Sequence, residues 1–350
     1  MLDLNTYDRA FLLTDEQVAT CCLPVLSSLL NCQARLADLP TLILPAGEEH
    51  KNITSVQRIW DFLFAQQATR SSLLINLGGG VITDMGGFAA STYMRGMSYM
   101  NIPTTLLAMV DAATGGKTGI DYSPSSVSDS GLIKNAIGVF AEPVETIIDA
   151  RFLATLPADQ LLSGYAEMLK HAILQGREAF AELLDYDLRE VSSVAFGELI
   201  RQSVAFKQSV VEQDPRDKGL RQILNLGHTV GHAIEALCLT KHSQMVNGKC
   251  LHGYCVMYGM VAEAYLSHTL CGLTTEVVST LSRFMLENYG AAPVTCNDYE
   301  QLLQLMQHDK KNREQGAITC TLLRDIGQPV IGQSIPPDQF REALEYLCSL

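Results

Sequence analysis

Two kinds of hydrophobic pattern divide the chain. Up to residue 155, short apolar runs alternate with segments in which apolar residues recur at helical spacing. Phe11 to Asp15 (FLLTD) predicts a strand and Glu16 to Leu30 a helix; TLILPAG predicts a second strand and Ile53 to Gln66 a second helix. LLINLGGG is a third strand-like run ending in Gly78, Gly79 and Gly80, a helical stretch continues through Phe88, and MNIPTT and ETIIDA close the series. Strands alternating with helices predict an α/β domain over 1–155, built on a Rossmann-like parallel, doubly wound sheet. Ligands bind such sheets beyond the carboxyl ends of the strands, where Gly78 to Gly80 lie.

From residue 156 to 350 helical period dominates: Asp159 to Leu174, Ser192 to Gln213, Leu226 to Leu239 and Gly253 to Leu270, with only ITCTLL near Ile318 extended. This half is expected to be a second, mostly α-helical domain. Tyr122 to Ser130 (YSPSSVSDS) reads as a surface loop, and no internal repeat is visible.

Composition narrows the function. The 350 residues suffice for two cores at roughly 100–200 residues each. Lys and Arg total 25 against 38 Asp and Glu, a formal charge of −13 that argues against nucleic acid as the main partner. No apolar run approaches the ~20 residues of a membrane span. The start, MLDLNTYDRAFLLTDEQ, lacks a basic stretch followed by an apolar signal core, so a cytoplasmic protein is expected. The ten cysteines form no CxxC pair and are expected to be buried, reduced thiols.

Three motifs carry candidate chemistry. A strand, three glycines and a helix let backbone N–H groups approach a pyrophosphate, although the spacing is not GxGxxG and also suits a plain tight turn. Gly115-Gly116-Lys117-Thr118-Gly119 resembles the end of a phosphate loop, but Asp111 stands where such a loop needs glycine; what remains is a turn presenting Lys117 to an anion. In NLGHTVGHAIE, His228 and His232 share a helix face, His252 opens a later helix, and Glu167 and Lys170 lie three apart in GYAEMLKH. Two histidines and a carboxylate on separate helices would make an open zinc-type site, with His228 and His232 alternatives for one position. The cations Arg95, Lys117, Lys134, Lys170, Lys207, Arg221 and the pair Lys310-Lys311 sit in or near these motifs. Arg221 precedes the histidine motif by seven residues, about two turns if the helix extends that far. Cations gathered on an acidic chain suit a phosphorylated or carboxylated small molecule.

GGGVITDMGGFAASTYMRG, IPTTLLAMVDAATGGKTGID, IKNAIGVF, GYAEMLKH, GLRQILNLGHTVGHAIE, LHGYCVMYGM and DKKNREQGAI, in this order between Pro45 and Gly327, together resemble the motifs of the 3-dehydroquinate synthase family. The resemblance implies a shikimate-pathway lyase that converts 3-deoxy-D-arabino-heptulosonate 7-phosphate to 3-dehydroquinate and phosphate. The implied course is transient oxidation by NAD, loss of phosphate, reduction and intramolecular aldol closure. It implies NAD binding by the first domain through Glu48, Lys51, Gly79, Gly80, Asp84, Thr104 and Thr105, and zinc, or cobalt or another divalent metal, on Glu167, His228 and His252 in the second. Catalytic groups matching the family are Lys170, Lys207, Arg221, Asn225 and His232; substrate-binding groups are Arg95, Asp111, Lys117, Lys134, Asn135 and Lys310, the last favoured over Lys311. Arg95 matches an arginine that reaches substrate across a dimer interface, so a homodimer is implied.

The chain departs from the family pattern in three places. A strand pair that usually precedes the equivalent of FLLTD is not expected from the residues before Phe11; the segment from Asp121 to Ile133 is long, with Ile133 where many relatives have glycine; and Tyr254 stands where glutamate is common. A sister sugar-phosphate cyclase of inosose or valiolone type would keep the metal and NAD motifs, but Lys134, Asn135, Arg221 and His232 favour a carboxylated substrate. A polyol or glycerol-phosphate dehydrogenase would release NADH, and a catalytically dead NAD-binding homologue would not be expected to retain every basic group.

Overall fold

The structure, a computed structural model, describes residues 6–29, 39–123, 133–191, 193–240, 250–307 and 317–350. The chain divides into two compact units, Met1–Pro157 with Arg189–Val204, and Ala158–Leu188 with Ala205–Leu350.

In the first unit the predicted alternation appears as β1 (Ala10–Asp15), α1 (Glu16–Leu29), β2 (Thr41–Leu44), α2 (Ile53–Ala65), β3 (Leu73–Gly78), α3 (Gly80–Thr92) and β4 (Ser98–Pro103). The four strands form a parallel sheet in the order β2-β1-β3-β4. β3 is buried at every position, which is why it reads as an unbroken apolar run rather than an alternating one. α2 starts where the Asn52 side chain accepts from Ser55 N–H at 3.1 Å, and it buries Val56, Ile59 and Leu63 along one face. Those residues join Phe11, Leu13, Leu74, Met85 and Ala89 in the core.

One expectation is corrected here: ETIIDA makes a single parallel bridge, Asn101 to Thr146, and not a strand. The glycine turn after Asp111 leads into an antiparallel hairpin, β5 (Lys117–Tyr122) with β6 (Ile133–Phe140). Gly115 and Gly116, at φ 99° and 65°, make the turn, whereas Gly119 and Gly138 face each other within the ladder. A Cβ on Gly138 would stand 2.2 Å from the Thr118 carbonyl oxygen, so glycine is required for strand approach there. Most of the Ser-rich segment, 124–130, lies outside the described residues.

The remaining elements are α4 (Ala158–Gln175), α5 (Arg177–Asp185), α6 (Val194–Gln213), α7 (His228–Thr240), α8 (His252–Cys271), α9 (Thr275–Asn288), α10 (Tyr299–Gln307), the antiparallel hairpin β7 (Ile318–Asp325) and β8 (Gln328–Ile335), and α11 (Pro337–Ser349). α8 is the axis of the second unit. It is buried around its whole circumference, packs against α4, α7, α9, α11 and β7, and ends at Gly272 in the left-handed region. α7 begins at His228 rather than Leu226, because Gly227 takes φ 79°, a conformation no helix interior allows. Arg221 is therefore not two helical turns upstream on the same helix; it sits in a separate 3-10 segment, Leu220–Asn225.

The cysteines also depart from expectation. Cys238 and Cys250 form a disulfide that ties the last turn of α7 to the residues just before α8, their Cα atoms 6.0 Å apart. Of the other described cysteines, Cys22, Cys255 and Cys320 are buried, whereas Cys21, Cys296 and Cys348 are exposed. Spacing alone did not reveal a pairing that depends on where two helix ends meet.

Candidate functional site

In the second unit, α4, α7 and α8 converge with almost no space between their backbones. A Cβ on Gly253 would lie 1.8 Å from the Ser163 carbonyl oxygen, and one on Gly259 1.9 Å from that of Gly227. Close crossings fix the helices relative to one another, and each carries one predicted ligand inward: Glu167 on α4, His228 at the start of α7 and His252 at the start of α8. Glu167 is fully buried, and its carboxylate faces three ionisable side chains. Lys170 Nζ forms an ion pair with Oε2, while His228 Nε2 and His252 Nε2 stand 3.6 and 3.5 Å from Oε1.

This donor set fits a divalent cation. Two donors each about 2.1 Å from a tetrahedral ion lie about 3.4 Å apart, close to both observed O···N separations. Each imidazole turns Nε2 toward Glu167 and has an acceptor on its other nitrogen: the Leu226 carbonyl at 3.1 Å from His228 Nδ1, and Glu235 Oε2 at 3.3 Å from His252 Nδ1. His232 is more exposed, its ring 5.1 Å from that of His228 and 5.9 Å from that of His252. His232, Glu235 and His252 also converge, so His252 is common to both groupings.

The electrostatics follow from burial and neighbours. Burial works against the Glu167 charge, but Lys170 and the two histidines outweigh it and hold the carboxyl well below the usual range. Burial, followed by the Lys170 charge, pushes His228 far down and keeps it neutral, the form that donates a lone pair to a metal. Burial opposes the His252 charge too, but Glu235 and Glu167 overcome it and raise its pKa to about 10 in the metal-free protein, so a metal would have to displace a proton from Nε2.

A further carboxylate holds the His228 turn. Glu263, buried on α8, accepts from the backbone N–H groups of Gly227 at 2.6 Å, Thr229 at 3.0 Å and Val230 at 3.2 Å. It thus caps the N-terminus of α7 from a neighbouring helix, where the helix dipole favours negative charge. The sequence carried a signal for it, since Glu263 is the one Asp, Glu, Lys or Arg between His252 and Ser267.

In the first unit, the residues expected to bind NAD and those expected to bind substrate are interleaved. Lys51 Nζ donates to Asp84 Oδ2 and to Asn135 Oδ1, both at 2.6 Å, and Lys134 Nζ lies 3.3 Å from Glu48 Oε1. Asp121, which sequence reasoning missed, accepts from Asn135 N–H at 2.7 Å and donates its own N–H to the Lys51 carbonyl at 2.9 Å. Burial opposes the Lys51 charge, but Asp84, then Glu48, keep its pKa above the ordinary value. Burial lifts the Asp84 carboxyl, against the pull of Lys51.

Gly79 precedes α3 with no side-chain cap on the helix, and Cβ atoms on Gly79 and Gly80 would crowd Thr105 and Ala112 at 3.1 and 3.2 Å. Thr104 is buried and donates its N–H to the Gly78 carbonyl at 3.0 Å, tying the end of β4 to the end of β3.

Comparison with known proteins settles the lineage. The family described as 3-dehydroquinate synthase N-terminal matches residues 41–163, and 3-dehydroquinate synthase C-terminal matches 164–312. A 3-dehydroquinate synthase of Parabacteroides distasonis is 42% identical over 340 residues, 97% of this chain and 91% of that protein. One of Pyrococcus abyssi is 39% identical over 344 residues, 98% and 94% of the two chains.

The chain belongs to the 3-dehydroquinate synthase family.

The fold is shared with solved sugar-phosphate cyclases. A 2-epi-5-epi-valiolone synthase from Streptomyces hygroscopicus subsp. jinggangensis 5008, with NAD+ and Zn2+ bound, gives a TM-score of 0.82 at 26% identity, covering 99% of this chain and 92% of that one. A 2-deoxy-scyllo-inosose synthase complexed with carbaglucose-6-phosphate, NAD+ and Co2+ gives 0.79 at 21% identity with the same coverage, a likeness of fold.

For this member of the 3-dehydroquinate synthase family, the other sequence-predicted residues are distributed as follows. Lys170, Lys207 and Arg221 are buried, and Arg221 is fixed by donation from its Nη1 to the Pro215 carbonyl at 3.0 Å. Asn225 is half-buried at the end of the 3-10 segment. Asp111 is half-buried in a π-helical turn, Ala108–Ala112, and Lys117 is exposed at the start of β5. Arg95 is exposed, with φ 68°, beside Met94 at φ 48°. Lys310 and Lys311 lie outside the described residues.

Proposed function

We propose that this chain is a 3-dehydroquinate synthase, converting 3-deoxy-D-arabino-heptulosonate 7-phosphate to 3-dehydroquinate and phosphate. The observation that carries the reading is the convergence of buried Glu167 and His228 with half-buried His252, and Lys170 paired to Glu167, in a chain of this family. A divalent metal held by these three residues supplies Lewis acidity at a substrate hydroxyl, and NAD held by the first domain supplies reversible hydride acceptance.

The chain's own residues would do the rest. Lys170, Lys207 and Arg221 are desolvated cations, and in a low-dielectric setting they bind carboxylate and phosphate far more strongly than surface lysines would. Arg221, anchored through Pro215, offers a planar fork suited to a carboxylate. Asn225 would hydrogen-bond a substrate hydroxyl, and His232, its ring 5.1 Å from that of His228, would relay a proton. Gly79 and Gly80 open the N-terminus of α3 to a pyrophosphate, with Glu48, Lys51, Asp84, Thr104 and Thr105 around the dinucleotide. Arg95, Asp111, Lys117, Lys134, Asn135 and Lys310 would complete substrate binding. We propose domains 1–155 for NAD and 156–350 for metal and substrate, a cytoplasmic location and a homodimer. Exposed apolar side chains on β6, Ile137 and Phe140, and exposed Met94 beside Arg95, support an interface. Among the described residues no helix is long and apolar enough to cross a membrane.

The test is phosphate release from the heptulosonate phosphate with zinc and catalytic NAD+, with NADH absorbance followed in parallel. Stoichiometric phosphate, no net NADH and a carbocyclic product support the assignment. Net NADH would instead indicate a dehydrogenase, and turnover of only hexose or other heptose phosphates a sister cyclase.

A further inference from the structure

His252 is held at both ring nitrogens by carboxylates of unlike setting. Nε2 faces Oε1 of Glu167 at 3.5 Å, and Nδ1 faces Oε2 of Glu235 at 3.3 Å. Glu235 is buried, and it lies on α7 seven residues after His228, two turns along the same helix face. The helix that carries one ligand therefore also carries the group that faces the back of the other. His228 has the equivalent arrangement from the main chain, its Nδ1 facing the Leu226 carbonyl at 3.1 Å. A histidine with an acceptor at Nδ1 keeps its proton there and presents the Nε2 lone pair, which fixes the tautomer and the ring plane.

We infer that Glu235 is a positioning residue for the metal centre: it orients His252 through Nδ1 so that Nε2 completes the site with Glu167 and His228, and is not itself a ligand. The inference rests on the metal reading proposed above. The alternative use of the same atoms, with His232, Glu235 and His252 as the ligand set, makes the opposite prediction for a glutamine at this position. The amide oxygen of glutamine still accepts from Nδ1–H, but an uncharged amide is a poor substitute for a carboxylate ligand.

The experiment measures zinc affinity by chelator competition, and the absorption spectrum of the cobalt-loaded protein, for wild type, Glu235→Gln and Glu235→Ala, with apo-protein melting as the folding control. A positioning role predicts that Glu235→Ala weakens zinc binding about 10–100-fold, that Glu235→Gln recovers most of it, and that both cobalt spectra keep the wild-type band shape. Equal loss in both variants with an altered cobalt spectrum would make Glu235 a ligand and overturn the inference, as would unchanged affinity in both. Should Glu235→Ala fail to fold, Glu235→Gln alone separates the cases, since near-wild-type affinity and spectrum exclude a ligand role. A wild-type protein that takes up neither zinc nor cobalt stoichiometrically would refute the metal reading itself, a failure visible before any variant is compared.

Discussion

Lys170 and Glu167 form an ion pair in which both side chains are buried, so neither charge can be relieved by water. Removing one partner leaves the other uncompensated, a change that typically costs about 3–5 kcal/mol. Lys170→Ala is therefore expected to destabilise the metal-free protein by that order, measured by urea denaturation. Zinc should restore much of the loss, because a divalent ion on Glu167 supplies the missing positive charge. Glu167→Gln is expected to abolish stoichiometric metal by elemental analysis while the far-UV circular dichroism stays native. Wild-type metal content in that variant would remove Glu167 from the ligand set. At this scale the convergence of Glu167, His228 and His252 was legible, because histidines and a carboxylate in close motifs are chemically conspicuous. Glu235 ends the motif NLGHTVGHAIE, but only the structure shows which imidazole it faces.

Glycines govern how the elements meet, and their effects should differ in sign from place to place. Gly253→Ala would drive a Cβ into the Ser163 backbone and separate α4 from α8, the helices bearing Glu167 and His252. A loss of about 1–3 kcal/mol or more is expected, together with weaker zinc binding. Gly197, inside α6, has nothing within 4 Å of its hypothetical Cβ, so Gly197→Ala should stabilise by about 0.5–1 kcal/mol. If both variants lowered the melting temperature alike, close packing would not explain Gly253. The turn that presents Arg221 gives a pH signature. Asp214 accepts from the backbone N–H groups of Lys218, Gly219 and Arg221, bonds that hold its carboxyl below the ordinary value. That contribution is complete above about pH 4 and lost as pH falls through the depressed folded pKa. The Lys218 and Gly219 amide resonances should therefore shift only below the ordinary carboxylate range, and should lose this dependence in Asp214→Asn. Titration at or above that range would contradict the cap. Elements were legible where one periodic pattern ran unbroken, as in β3 and α4. β6 and β8 were not legible because Gly138, Pro329 and Gly332 interrupt the alternation. The α7 start was read two residues early because a lone glycine at φ 79° looks, in sequence, like any helix glycine.

For the whole molecule, the two compact units make separable demands on two ligands. The first has the glycine-opened α3 terminus and the Lys51–Asp84–Asn135 cluster; the second has the Glu167–His228–His252 cluster proposed to hold a metal. A ligand that binds only the folded form stabilises it by about 2.7 kcal/mol when present at a hundred times its Kd, and local opening is suppressed first where contacts are made. Hydrogen exchange followed by mass spectrometry should accordingly give two maps. Zinc alone should slow exchange in Ala158–Gln175 and at the starts of α7 and α8, which carry the proposed ligands. NAD+ alone should slow it in peptides covering Glu48–Lys51, Gly78–Asp84 and Thr104–Thr105, the residues proposed to surround the dinucleotide. Because the chain carries a net charge of −13, nonspecific attraction of an anionic dinucleotide is disfavoured. Protection by NAD+ confined to those segments would then reflect a built site, while its absence there would move the cofactor away from α3 and, with it, the assignment of Gly79, Gly80 and Asp84.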